Sequence, residues 1–221
     1  MELLKTGDIL LFSELPTSLW MSCLDRIIKT CTNSKYSHSA LVIVDPPWAP
    51  ALKGTFVWES SWHGTPDPQD NEVKFGVQLT PLDFYIKQYP GRVSIYARHQ
   101  TLKSVFTTEH LLKIHPTVYK KMYDTRPCDW IYAAMCRRRS CQTDSFTCSA
   151  FVSYILTQLS ILKQDTCWTT ISAAELSSSR ECDLVKFHHP TYYSADTFLG
   201  DFPKKDSSLI PNDSLLFKHH V

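Results

Sequence analysis

Apolar residues recur along this chain at two different spacings, which predict a mixture of strands and helices. Short apolar runs at residues 9–12, 38–44 and 55–60 are typical of buried strands. Residues 18–31 carry apolar side chains at helical spacing and predict an amphipathic helix. The Pro- and Gly-containing stretch 61–72 predicts a loop.

The middle of the chain continues this mixed pattern. Residues 75–79 and 92–97 predict two further short strands. A helix start is predicted at residues 80–83, where a capping Thr is followed by Pro, Leu and Asp. Residues 107–136 predict two or three short helices, interrupted by prolines.

These elements favour an α+β fold with a mainly antiparallel sheet and helices packed on it. The chain has 221 residues, of which 43% are hydrophobic and 20% charged. This composition is ordinary for a globular protein that buries a core. We expect one domain over residues 1–202 and a polar C-terminal tail over residues 203–221, with no internal repeat.

Charge and cysteine content narrow the function classes. The net charge of +1 gives no indication of nucleic-acid binding. The N-terminus lacks the features of a signal peptide, and no apolar run approaches 18 residues, so we expect no membrane span. The eight cysteines form no C-x-x-C pair and have no zinc-site spacing. We therefore expect reduced thiols in a cytoplasmic compartment and no bound metal.

The most informative stretch begins a helix with a cysteine in its first turn. Ser145 or Thr147 can cap this helix, and Cys148 then lies where unpaired backbone N–H groups favour a thiolate. An apolar stripe follows at helical spacing and predicts packing into the core. Its members are Phe151, Val152, Ile155, Leu156 and Leu159.

A helix terminus alone does not make a reactive thiol. A free cysteine has a pKa of about 8.5, and lowering it by two to three units requires roughly 3–4 kcal/mol. A helix terminus typically supplies about 0.3–1 kcal/mol. A cationic partner must supply the remainder, and histidine is the usual one.

His38 on the second strand and Glu59 on the third are the candidate partners. A Cys–His pair provides a nucleophile, and a third polar group orients the imidazole. Neighbouring antiparallel strands can place His38 beside Glu59. Each residue alone also has a structural interpretation: Cys148 as a small core residue, His38 as a hydrogen-bonded core histidine, and Glu59 as a solvated charge at a strand edge.

Three motifs together resemble the NlpC-type branch of the papain-like cysteine peptidase superfamily in its circularly permuted form. T-C-S-A-F-V at residues 147–152 is similar to the D-C-S-G-F-V-like nucleophile motif, with Thr and Ala in place of Asp and Gly. G-D-I-L-L-F at residues 7–12 and H-S-A-L-V at residues 38–42 match the two strand motifs of the family. The Cys motif comes last here, as in the YiiX-like group and its poxvirus relatives, where a Glu follows the His, as Glu59 does here.

This resemblance implies a papain-like fold and a thiol hydrolase or acyltransferase without cofactor or metal. Cys148 would be the nucleophile, His38 the general base and acid, and Glu59 the orienting residue. The Cys148 backbone N–H would be one oxyanion donor. An upstream tyrosine supplies the second donor in NlpC relatives, for which Tyr132 is the candidate here; its alternative role is that of a core aromatic residue.

The sequence leaves the substrate open between a peptide and a lipid acyl compound. Permuted relatives include lecithin:retinol acyltransferase, so we also consider peripheral contact with a lipid surface. The rival hypothesis is a non-catalytic lipid- or peptide-binding module, or a virion-associated protein, on the same fold. The basic cluster at residues 137–139 is either a solvated loop or a contact for an anionic group. For His63 we expect an exposed loop histidine, with an approach to the cleft as the alternative.

Overall fold

The computed structural model describes residues 4–13, 36–88, 93–96, 104–125, 143–173, 175–177 and 191–193. These residues form a mixed α+β structure. The strands are β1 (Ile9–Phe12), β2 (His38–Val44), β3 (Thr55–Pro66), β4 (Val73–Pro81), β5 (Val93–Tyr96), β6 (Met122–Tyr123), β7 (Ser145–Phe146) and β8 (Thr191–Tyr193). The helices are α1 (Leu82–Gln88), α2 (Thr108–Val118) and α3 (Cys148–Gln158), followed by a 3-10 helix at Trp168–Thr170.

All the described strands belong to one sheet, in the order β7-β6-β4-β3-β2-β1-β5-β8. Every neighbouring pair is antiparallel except β6 and β7, which are parallel. The centre of the sheet aligns Leu41 with both Ile9 and Trp58. The sequence-based prediction of a mainly antiparallel sheet is therefore confirmed.

Alternate side chains of the central strands enter two separate cores. Leu41 and Ile43 join the larger core, which includes Phe151 and Ile155 of α3. Ala40 and Val42 join the smaller core on the other face, together with Leu82 and Tyr85 of α1. The predicted apolar stripe on α3 is confirmed. Helix α3 packs against β2 and β3, which fixes its N-terminus relative to the sheet.

Strand β3 is twice as long as its apolar pattern indicates. It continues to Pro66, so the loop predicted at residues 61–72 begins only after that residue. The extension exists because Ser61 pairs with Gly76 and Trp62 pairs with Phe75 of β4. The register then shifts between Trp62 and Pro66, which bends the strand. The pairing of eight β3 residues with β4 thus overrides the local turn signals.

A close backbone contact places the short strand β6. Gly76 has φ +152°, and a Cβ atom there would lie 2.1 Å from the carbonyl oxygen of Lys121. Val77 N donates to that same carbonyl oxygen at 2.9 Å. Only glycine allows this approach, which sets the position of Tyr123 in β6. The helices predicted over residues 107–136 are confirmed for α2, whereas residues 122–123 form a strand.

The helix predicted from residue 80 onward is confirmed as α1. No helix in the described part of the chain is long and apolar enough to cross a membrane. Several predictions fall outside the described residues: the helix at 18–31, Tyr132, the basic cluster at 137–139 and the tail at 203–221.

Candidate active site

Cys148 is the first residue of α3, and its position is fixed by the helix cap. Of the two predicted caps, Thr147 takes the role, since its hydroxyl accepts from Ala150 N at 3.3 Å. Its carbonyl accepts from Phe151 N at 3.0 Å. The thiol is 5% exposed and donates toward the carbonyl oxygen of Ser37 at 4.0 Å. The helix start therefore presents Cys148 directly to the beginning of β2.

His38 and Glu59 meet beside this thiol. His38 begins β2, Glu59 lies within β3, and both are buried. His38 Nε2 lies 2.5 Å from Glu59 Oε2. Because Nε2 is engaged by the carboxylate, Nδ1 is the ring nitrogen left for the hydrogen bond with Cys148. The structure thus brings together the three residues that the sequence singled out.

The surroundings of Cys148 favour its thiolate. Burial raises the pKa of this thiol, whereas the His38 charge and hydrogen bond lower it. The backbone N–H groups of Ser39 and Ser149 lower it further by donating to the sulfur. The net effect is a pKa below the ordinary value of a cysteine.

The same contacts keep His38 protonated and Glu59 ionised. Burial lowers the pKa of His38, but the Cys148 charge and hydrogen bonds to Cys148 and Glu59 outweigh it and raise that pKa to about 10. Burial raises the pKa of Glu59, while the charges and hydrogen bonds of His63 and His38 lower it to about 2. The site therefore stabilises a thiolate, an imidazolium and a carboxylate in a row.

His63 is part of this arrangement, and the expectation of an exposed loop histidine is wrong. It lies on β3, its side chain is 9% exposed, and its Nε2 is 2.7 Å from Glu59 Oε1. The sequence did contain a signal, since Glu59, Ser61 and His63 alternate along one face of an extended strand. The Pro and Gly content of the segment predicts a loop instead, so the alternation was not used to predict a strand.

Tyr123 is a second residue of the site that the sequence patterns did not predict. Its hydroxyl makes a hydrogen bond with Cys148. Burial and the charge of Cys148 raise the pKa of Tyr123 well above its ordinary value, so the hydroxyl stays protonated and donates. Tyr132, the tyrosine chosen from the sequence, lies outside the described residues. A two-residue strand has no periodic pattern, so nothing in the local sequence distinguished Tyr123.

A strip of aromatic rings leads from the protein surface to this tyrosine. Trp62 and Phe75 contact each other edge to face with centroids 6.0 Å apart. Phe75 stacks on Tyr123 at 5.1 Å and 11°. Trp62 is 45% exposed, and the neighbouring Met122 is 65% exposed. The strip therefore offers an apolar surface that is continuous with the thiol.

The remaining chemistry of the described residues is limited. No group of three or more His, Cys, Asp or Glu side chains among them is arranged to hold a metal ion. Neither of the two described cysteines, Cys148 and Cys167, forms a disulfide. An activated thiol with a proton-transfer partner and a hydroxyl donor can attack a carbonyl carbon.

No protein-family model matches this chain, and no curated protein matches it significantly.

Proposed function

We propose that this chain is a thiol hydrolase or acyltransferase of the permuted NlpC-type, papain-like class. The observation that carries the proposal is the contact of Cys148 with His38, whose other nitrogen lies 2.5 Å from Glu59 Oε2. This order of nucleophile, base and orienting carboxylate is what acyl transfer through a thioester requires. It also agrees with the three sequence motifs that resemble that family.

The reaction proceeds in two acyl-transfer steps. The Cys148 thiolate attacks the carbonyl carbon of an amide or ester, and the imidazolium of His38 gives its proton to the departing amine or alcohol. A thioester on Cys148 remains. His38 then removes a proton from water or another acceptor, which attacks the thioester, and the thiolate and imidazolium are restored as the acyl group leaves.

Two donors suit the oxyanion of the tetrahedral intermediates. The backbone N–H of Cys148 lies at the start of α3, where it has no partner within the helix. The protonated Tyr123 hydroxyl already makes a hydrogen bond with the Cys148 sulfur. A negative oxygen that develops next to this sulfur is within the region that both donors reach.

We further propose an acyl substrate with an apolar group next to the scissile bond. The strip of Trp62, Phe75 and Tyr123 supports this, since exposed aromatic surface marks binding sites for apolar groups. A peptide with an apolar side chain and a lipid acyl chain both have this chemistry. The expected setting is a reducing, cytoplasm-like compartment, with the lipid form of the substrate at a membrane surface.

The test is a screen for the thioester by intact-protein mass spectrometry. The chain is incubated with nitrophenyl esters from acetyl to dodecanoyl and with fluorogenic peptide amides. We expect an acyl adduct on Cys148, product release, and neither in Cys148→Ala. Trp62→Ala should lower the turnover rate of the long esters more than that of the acetyl ester. Leu112→Ala is the matched control and should not show this difference, since Leu112 is an apolar residue 44% exposed on α2.

If Cys148 forms no acyl adduct with either the esters or the peptide amides, the proposed enzymatic function is rejected. In that case the same surface would suit a binding module, including one carried on a virion. Analysis of small molecules that co-purify with the chain distinguishes this rival, because a binding module retains its ligand unchanged.

A further inference from the structure

Glu59 has two oxygens, and the proposed reaction uses only one of them. Oε2 faces His38, whereas Oε1 lies 2.7 Å from His63 Nε2. The Glu59 side chain is 0% exposed, so solvent does not satisfy either oxygen. A buried carboxylate needs donors on both oxygens to remain ionised in one orientation. His63 supplies the donor that the proposed catalytic residues leave out.

Aromatic packing couples His63 to the catalytic histidine. The His63 ring meets Tyr85 edge to face, with centroids 4.9 Å apart. Tyr85 packs on Phe12 at 5.0 Å, and Phe12 packs on His38 at 5.4 Å. The two imidazoles are thus held apart by the same aromatic pair and joined through Glu59. A displacement of His63 therefore moves the carboxylate relative to His38.

The groups that face His63 are few among the described residues. Glu59 faces it from its own strand, and Tyr85 faces it from α1. His38 of β2 lies across the carboxylate. None of the described interactions of His63 is with the Cys148 sulfur.

We propose that His63 is a positioning residue, whose Nε2–H holds Glu59 so that the carboxylate orients His38 toward Cys148. This inference rests on the proposed function and adds a fourth member to its site. With Oε1 fixed by His63, Oε2 accepts from His38 Nε2, and Nδ1 is directed at the thiol. Loss of the His63 donor leaves the carboxylate free to rotate or to take up a proton.

The first test compares iodoacetamide labelling of Cys148 at pH 6 and pH 9 in four chains. They are wild type, His63→Leu, His63→Gln and the control His110→Leu. Loss of one charge-assisted hydrogen bond corresponds to about a tenfold slower reaction of His63→Leu at pH 6. At pH 9 we expect the four rates to differ much less, because a larger fraction of the thiol is ionised in every chain. His63→Gln retains an N–H donor and should stay within about threefold of wild type.

His38→Ala, measured in parallel, separates the two claims. If it abolishes rapid labelling at pH 6 while His63→Leu labels like wild type, the proposed function stands and the role of His63 is rejected. Equal losses in His63→Leu and His63→Gln would likewise reject the donor role. If wild-type Cys148 is slow at pH 6 and His38→Ala changes nothing, the proposed function fails, and the inference fails with it.

A second measurement needs only the folded wild-type chain. Long-range proton–nitrogen NMR spectra at pH 7 report which ring nitrogen of each histidine carries a proton. We expect His63 to carry a proton on Nε2 that exchanges slowly with solvent. A His63 ring with a bare Nε2 would overturn the proposal, whatever the variants do.

Discussion

Glu59 and Asp67 are both carboxylates with 0% exposed side chains, yet the molecule satisfies them in different ways. Asp67 accepts from Lys74 Nζ at 2.7 Å and from the backbone N–H of Leu79 at 3.1 Å. Gln69 donates to it from its backbone and its side chain, at 2.9 and 2.8 Å. Glu59 instead lies between the imidazoles of His38 and His63.

The difference lies in the donors. Backbone N–H groups, an amide and an ammonium group donate at every ordinary pH, so they hold Asp67 permanently and fix the bend after β3. An imidazole can hold a carboxylate with one ring nitrogen and exchange a proton through the other, so Glu59 is suited to orienting His38 for proton transfer with Cys148. Burial of a charge therefore does not by itself identify a functional site; the imidazole partners of Glu59 and their contact with a thiol are what support the proposed function.

One histidine in each region shows the same contrast. Burial lowers the pKa of His38, but the charges and hydrogen bonds of Cys148 and Glu59 together raise it to about 10. The pKa of His115 is lowered to about 4 by burial and by the Lys74 charge. His115 stacks on Trp48 at 4.4 Å and has its Nε2 3.1 Å from Gln69 Oε1. The surroundings of His38 therefore favour its protonated form, whereas those of His115 favour its neutral form and hold its ring by stacking.

The largest expected effect is on turnover, and it distinguishes the Glu59 site from the region around Asp67. Cys148→Ala should reduce turnover at least about a thousandfold with the fold unchanged, because no other group replaces the nucleophile. Lys74→Met should leave turnover within about threefold but destabilise the fold by about 3 kcal/mol, since it leaves Asp67 buried without its ion pair. Turnover of the acyl substrates and urea unfolding give the two values. Full activity in Cys148→Ala would remove the mechanism.

The next effect ranks the members of the site. His38→Ala should slow turnover about 10²- to 10⁴-fold, because it removes proton transfer. Glu59→Gln should cost less, since it disturbs orientation and leaves the base in place. Single-turnover rates near pH 7 measure both. The reverse order would show that the carboxylate does more than orient His38.

A smaller effect isolates the oxyanion donor. Tyr123→Phe should lower turnover about 10²-fold, the usual consequence of losing one such donor. Labelling of Cys148 by iodoacetamide should stay rapid, because that reaction develops no oxyanion and the His38 contact is unchanged. A variant with normal turnover would assign Tyr123 to packing against Phe75 alone.

The smallest effect is a pH dependence of stability in the second region. His115 is protonated near pH 6.5 when unfolded but only near pH 4 when folded, so the unfolded chain binds more protons between these values. Its contribution to stability is therefore present above pH 6.5 and lost as pH falls toward 4. His115→Phe should remove this loss, worth about 1 kcal/mol after allowance for the partial exposure of the ring.

Urea unfolding at pH 7 and at pH 4.5 measures this difference. The Glu59 contribution lies lower, between its ordinary pKa of 4.5 and its folded value of about 2, so it does not obscure the comparison. An unchanged pH dependence in His115→Phe would mean that other groups cause the loss.

Local patterns predicted the parts of the fold that local forces determine. The cap by Thr147, the apolar stripe of α3 and the alternation along β2 are visible within a few residues of sequence. The three candidate catalytic residues were also found, since each lies on an element with a clear period. Their contact confirms the predicted juxtaposition and leaves their catalytic role as a prediction.

The missed residues depend on pairing that is distant in sequence. His63 is extended because β3 pairs with β4 beyond the apolar run, against local turn composition. Tyr123 reaches the thiol because Gly76 admits the backbone of Lys121, and β6 then pairs with β7 next to the nucleophile. The alternation of Glu59, Ser61 and His63 has this information only once the strand is known to extend past residue 60, and the segment around Tyr123 has no such period.

The most direct test of a thiolate–imidazolium pair at Cys148 and His38 is the pH dependence of iodoacetamide labelling from pH 5 to 10, measured separately for each cysteine. Cys167 is the comparison thiol, since it forms no disulfide and its Sγ lies 3.3 Å from Thr169 Oγ1. We predict that Cys148 labels rapidly near pH 6 in wild type and loses this reactivity in His38→Ala, whereas the labelling of Cys167 is the same in both chains. Parallel labelling curves for Cys148 and Cys167 in the wild-type chain would contradict a thiolate–imidazolium pair.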